Sequence, residues 1–258
     1  MSSESRIHRQ VDGAVGWLTI DNLAKHNALS FDMWEGLPAL LRSLDDEPEV
    51  RVIVLRGAGE KAFASGSDIS QFGERRNTPE GVALYNATVD RAVAAVAATR
   101  KPTVAWIHGY CFGGGLALAL HCDLRIAGQG ASFSVPAGKV GLGYNHLWLQ
   151  RLTWEVGPAR AKEILYTARR YDADAALRIG LVNALCDAEA FAALLAEIAA
   201  LAPLTLQAAK VAIDATIAAG AYDPTPAQAA IRRCFESQDY VEGRNAFAEK
   251  RAPRFGGR

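Results

Sequence analysis

Short apolar runs closed by glycine or charge recur through the first half of the chain. Ala14 to Ile20 (AVGWLTI), Arg51 to Leu55 (RVIVL), Thr103 to Ile107 (TVAWI) and Asp123 to Ile126 (DLRI) are rich in β-branched residues and predict strands. Between them the apolar period lengthens. After Ser30, a predicted N-cap, Trp34, Leu37, Leu40, Leu41 and Leu44 recur at three-to-four spacing, as on one face of a helix. Pro38 lies inside that pattern and predicts either a kink or a late helix start. Gly81 to Thr99 carries a second helical stripe of Val82, Leu84, Val89, Ala92, Val93 and Val96. Strands alternating with helices predict an α/β fold. Beyond about Ala190 the segments FAALLAEIAALA, LQAAKVAIDATIAAG and the tail have helical periodicity and no strand. The predicted division is therefore a β/α core over residues 1–190 and a helical region over 191–258.

Composition narrows the class. At 258 residues, 50% hydrophobic and 22% charged, the chain can bury a large core. Lys and Arg balance Asp and Glu at 28 each, so there is no basic excess of the kind a nucleic-acid surface needs. The start lacks a signal-peptide pattern, and no apolar run reaches the length of a membrane span, so a cytoplasmic protein is expected. Cys111, Cys122, Cys186 and Cys234 show no CxxC pairing and read as buried free thiols; with five dispersed histidines, no metal site is expected.

Two glycine-containing loops follow predicted strands. The first is Lys61 to Ile69 (KAFASGSDI), and the second is His108 to Gly115 (HGYCFGGG), which opens the apolar helix LALALHCD. Glycines at a helix start leave its first N–H groups bare and let a ligand approach the backbone, which suits a developing oxyanion. Equally, they allow close packing of helix on strand. Residue types alone leave both readings open. Neither a phosphate loop nor a strand-linked GxGxxG occurs, which argues against nucleotide phosphate binding.

Taken in order, KHNALS (Lys25 to Ser30), AFASGSDI (Ala62 to Ile69), HGYCFGGGLALALHCDLRIAG, FSVPAGKVGLGYN (Phe133 to Asn145), GLVNAL and EKRAPRF cover most of the chain. Together they resemble the crotonase superfamily, the enoyl-CoA hydratase/isomerase family. The resemblance implies a spiral of ββα units with a C-terminal helical region, assembly as a homotrimer or dimer of trimers, and an acyl-CoA thioester as substrate. Coenzyme A then enters as part of the substrate, with no prosthetic group. By position the resemblance places the oxyanion-binding N–H groups on Ser67 and Gly114. Lys25, Ala28 and Ala64, with the Ser67, Asp68 and Ile69 segment, fall at coenzyme-A-binding positions, Asp68 as a loop organiser. Phe247 and Lys250 match the tail that reaches the nucleotide end.

The chain departs from the family where hydration needs two carboxylates. The position three residues after the middle glycine is Ala117, and the one after the strand-end proline is Ala137. A dehalogenase-like nucleophile is absent too, because Asn145 stands at that position. Decarboxylation of a malonyl-type thioester needs the oxyanion hole and no base, so it is the leading expectation. Tyr144 resembles a tyrosine of the methylmalonyl-CoA decarboxylase branch, although that branch keeps a glutamate at the Ala117 position. Tyr144 is read either as an orienting group for the substrate or as a packed tyrosine. The alternatives are a hydratase or isomerase whose acid/base groups come from elsewhere (Tyr144, His146 or the Glu74 loop), and a silent acyl-CoA-binding paralogue. His108 and His121 read as structural.

Overall fold

The apolar runs become the strands of two sheets in the computed structural model, which describes residues 5–217, 225, 229, 233 and 236–258. The first sheet has the order β1(Arg6–Asp12), β2(Val15–Asp21), β3(Val52–Gly57), β5(Thr103–Ile107), β7(Leu124–Ala127), β10(Ala184–Leu185). The second has the order β4(Ala62–Ala64), β6(Tyr110–Phe112), β8(Ser132–Ser134), β9(Tyr171–Asp172). The β1/β2 and β8/β9 pairs are antiparallel and the other pairs are parallel. Successive pairs β3/β4, β5/β6 and β7/β8 each give one strand to either sheet. Helices α3(Pro79–Ala97) and α4(Gly114–Leu120) follow the first two pairs. This is the repeated ββα unit expected from the resemblance.

The four predicted strands appear within two residues of their expected limits. β1 has no apolar alternation and was not predicted; as an edge strand it buries little and tolerates RIHRQVD. The three-residue strands β4, β6 and β8 are too short to show a period.

α1(Phe31–Asp45) begins where Ser30 Oγ accepts from the Met33 amide at 3.3 Å. It runs through Pro38, which therefore does not mark a late start. α3 starts two residues earlier than expected, with Pro79 in its first turn and Thr78 Oγ1 accepting from Gly81 N. Leu37, Leu41 and Leu44 of α1 and Val89, Val93 and Val96 of α3 fill the main core with Ile53 and Leu55 of β3. The alternate residues Val52 and Val54 face a second core, where Phe191 and Leu195 of α7(Ala188–Ala200) cover the sheet. Burial on both faces explains why β3 reads as a continuous apolar run. α8(Pro203–Ile217) and α9(Gln238–Glu249) follow, and α5(His146–Thr167) and α6(Ala173–Arg178) close the second sheet's side. Among the described residues no single helix is long and apolar enough to cross a membrane.

Cys111 and Cys122 are fully buried free thiols, and burial pushes the Cys122 thiol up to about 12. Cys186 is half-buried and Cys234 lies outside the described residues.

Candidate active site

The loop after β4 is held as an extra strand against the segment before α1. Leu29 N donates to Gly66 O and Asp68 N donates to Leu29 O, both at 2.8 Å. In extended chain successive N–H groups point to opposite sides. The Gly66 carbonyl and Asp68 amide are committed toward Leu29, so the Ser67 N–H points the other way. It faces the glycine run.

The three glycines do three different things. Gly113 has φ 49° and ψ −118°, a conformation open to glycine, and its N–H donates to Ser134 O at 2.9 Å. Ala117 N donates back to Gly113 O at 3.0 Å and closes the first α-turn, while the N–H of Gly114, the first helical residue, has no intrahelical acceptor. A Cβ on Gly114 would lie 3.5 Å from Ser67 N and 3.3 Å from the Trp34 ring, inside the gap between the two amides. A Cβ on Gly115 would lie 2.8 Å from the Ala64 Cβ and closer still to the Ala64 carbonyl oxygen. A bare amide facing a second amide and close packing of helix on strand are both present, at the adjacent residues Gly114 and Gly115.

Ser67 and Gly114 line a cavity of about 450 Å³ with a mainly apolar wall that includes Phe72, Val89, Leu142 and Trp148. Ala137 lines it too, whereas Ala117 is fully buried in α4. Tyr144 also lines it, but its hydroxyl donates to Gly113 O at 2.9 Å and its ring packs edge-on to Trp148. Burial pushes its pKa far up, so it stays a neutral donor and braces the glycine turn.

Asp68 lies beside the loop with 6% exposure. Burial pushes its carboxyl up, but hydrogen bonds from Lys25 Nζ at 2.7 Å and from Ser70 outweigh this and hold it below the usual range. It caps the Ile69–Gln71 turn, where its Oδ1 accepts from Ser70 N at 3.1 Å. Lys25 is thereby tied to Asp68 and Ser70. Ala28 and Ala64 are buried, Ile69 is exposed at the cavity, and Lys250 is exposed after α9 with a left-handed φ of 52°. Phe247 lies in α9, and its side chain is outside the described residues.

The histidines do not converge on the cavity. His121 Nδ1 lies 2.8 Å from Ala117 O, and burial pulls its pKa down despite that contact. His108 is pulled down by burial beside Trp106. His146 is exposed at the start of α5, and Glu74 is exposed on α2(Phe72–Arg75).

One group was missed. Asp90 of α3 lines the cavity, and both its oxygens accept from Asn145 Nδ2, at 2.8 and 2.9 Å. Asn145 is oriented by its own role as N-cap of α5, where Oδ1 accepts from Leu147 N at 2.8 Å and leaves Nδ2 facing Asp90. Burial pushes the Asp90 carboxyl above its ordinary value, against the pull of Asn145 and His146. The available signal was a carboxylate bordering the Val89, Val93 stripe of an otherwise apolar helix face.

The enoyl-CoA hydratase/isomerase family model matches residues 10–258. The chain is 32% identical over 245 residues to a short-chain-enoyl-CoA hydratase of Clostridium acetobutylicum, covering 93% of each. It is 36% identical over 187 residues to a peroxisomal Delta(3,5)-Delta(2,4)-dienoyl-CoA isomerase of Arabidopsis thaliana, covering 69% of this chain and 67% of that one. A crystal structure described as a putative enoyl-CoA hydratase/isomerase family protein from Hyphomonas neptunium superposes with a TM-score of 0.93 at 34% identity, over 98% of both chains.

Proposed function

We propose, from the premise that the chain belongs to the enoyl-CoA hydratase/isomerase family, that it binds an acyl-CoA thioester and stabilises its enolate between the N–H groups of Ser67 and Gly114. The observation that carries this reading is the pair of inward-facing amides on the wall of an apolar cavity. As charge moves from Cα onto the thioester oxygen, both hydrogen bonds strengthen. One such donor contributes about 2.7–4 kcal/mol to barrier lowering. The segment from Ser65 to Ile69 takes the thioester end, with Lys25, Ala28 and Ala64 along the coenzyme A chain. Phe247 and Lys250 are assigned to the nucleotide end on the family resemblance. Assembly as a homotrimer or dimer of trimers belongs to the same reading; exposed Trp154, Ile213 and Val241 supply apolar surface for it.

For the reaction, proton transfer at the acyl chain is better supported than decarboxylation, which led on sequence alone. Asp90 puts a carboxylate in the cavity, where its charge opposes that of a malonyl-type substrate. The Tyr144 proton is engaged by Gly113 O. The relatives described above carry hydratase and isomerase names. Decarboxylation is the second reading, favoured by the alanines at 117 and 137.

Incubation with crotonyl-CoA, a 3-enoyl-CoA and methylmalonyl-CoA tests these readings. Hydration of the first or isomerisation of the second supports proton-transfer chemistry. Carbon dioxide release from the third supports the second reading. Tight binding of all three without turnover removes both and leaves a binding protein.

A further inference from the structure

The two alanines remove the carboxylates that acid/base chemistry needs beside the oxyanion hole, yet the cavity is not without one. Asp90 is the sole acidic residue among the described residues that line it. It comes from α3, which also contributes Tyr85 and Val89 to the wall, and so reaches the acyl pocket from a different element than Ala117 or Ala137. Resting on the proposed enolate reading, we infer that Asp90 is the acid/base of this site, and that a single carboxylate makes the enzyme an allylic isomerase of enoyl-CoA thioesters.

The number of carboxylates decides the reaction class. Water addition asks for one group to deprotonate water and another to manage the proton at Cα. A 1,3-proton shift asks for one. Asp90 takes a proton from Cα of a 3-enoyl thioester; the Cα–H bond breaks and an O–H bond forms. The electron pair moves into the Cα–C1 bond and onto the thioester oxygen, which the Ser67 and Gly114 amides hold. When the dienolate collapses, Cα=Cβ forms and the former Cβ=Cγ pair takes the same proton back at Cγ. Atoms and charge balance with no water and no second base. An intervening Asn145 contact fits this cycle, because an amide N–H donates to the ionised form and tolerates the protonated one.

The surroundings suit a base. Burial makes Asp90 more basic than a free aspartate, and the apolar wall keeps water from competing for the proton. The groups that act on it are the neutral Asn145 amide and the exposed His146; Arg76, set over the Phe72 and Tyr85 rings, and Lys139 lie elsewhere on the cavity wall.

The alternative is that Asp90 only anchors Asn145 at the start of α5. Three measurements separate the two: exchange of the butyryl-CoA α-protons in deuterium oxide, 3-enoyl to 2-enoyl conversion, and calorimetric binding of butyryl-CoA. In Asp90→Asn, exchange and kcat for isomerisation should fall about 10²–10⁴-fold, with butyryl-CoA affinity within about threefold, since the hole is intact. In Asn145→Ala the acidic limb of the kcat profile should move to higher pH, because a hydrogen bond to the ionised carboxylate is lost. That second variant keeps the test decisive if Asp90→Asn does not fold. Exchange in the wild type that survives in Asp90→Asn, or an acidic limb unmoved in Asn145→Ala, overturns Asp90 and leaves the enolate reading standing. No exchange in the wild type overturns both.

Discussion

Gly114 faces Ser67 across a gap in which a methyl group on the glycine would sit 3.5 Å from the serine amide nitrogen. The same methyl would press on the buried Trp34 ring at 3.3 Å and fill the space in which a ligand oxygen must reach both N–H groups. Gly114→Ala should therefore fold with a modestly lowered Tm while losing at least about 10²-fold in kcat. Gly115→Ala should fail differently. Its Cβ meets the Ala64 backbone, which cannot swing aside, so loss of soluble protein or a large drop in Tm is expected. Thermal melts beside turnover of the two variants check this; equal behaviour would merge roles that the geometry separates.

Tyr144 tests whether the hydroxyl braces the loop or touches substrate. Its proton is donated to Gly113 O. Tyr144→Phe should cost about 0.5–1.5 kcal/mol of stability, the usual worth of one hydrogen bond, and lower kcat without selective loss of carboxylated substrates. Denaturant unfolding and a comparison of enoyl and methylmalonyl thioesters read this out. Selective loss with methylmalonyl-CoA would restore the orienting role.

The Lys25–Asp68 contact should show in the pH dependence of stability. The folded-state pKa of Asp68 lies below the unfolded value of 3.8, so the contact stabilises above that value. Its contribution should disappear as pH falls from there through the folded pKa. Lys25 is 48% exposed, so the effect is modest, about 1 kcal/mol or less. Lys25→Met should be less stable than the wild type at pH 7 and indistinguishable from it near pH 2, by chemical denaturation at each pH.

Asp90 has the opposite sign. Its folded pKa lies above 3.8, so ionisation costs stability as pH rises through that interval, and the cost persists at neutral pH. Asp90→Asn should raise Tm at pH 7 and leave it unchanged near pH 3. A stabilised, inactive variant is the expected signature of a carboxylate kept for chemistry; a lower Tm at pH 7 would point to an anchoring role.

Some features were legible because they are local. The β3 and β5 runs read as strands since burial on both faces leaves them continuously apolar. The Ser30 cap and the leucine face of α1 follow from helical geometry within a few residues. Other features were not. The three-residue strands of the second sheet carry no period, and β1 is an edge strand whose only apolar residues, Ile7 and Val11, are separated on their face by Arg9.

By itself the sequence determined the ββα core, the two glycine loops and, through its family motifs, the expectation that Ser67 and Gly114 act as a pair. Each depends on neighbours along the chain or on motifs a few residues long. Only the tertiary structure decided which glycine shapes the turn, which faces the Ser67 amide and which packs against Ala64. It alone brought Asp90 to Asn145, fifty-five residues away, on the wall of the cavity that Ala137 also lines. Such a pairing leaves no periodic trace, because it is made by the docking of α3 against the start of α5 and not by either helix.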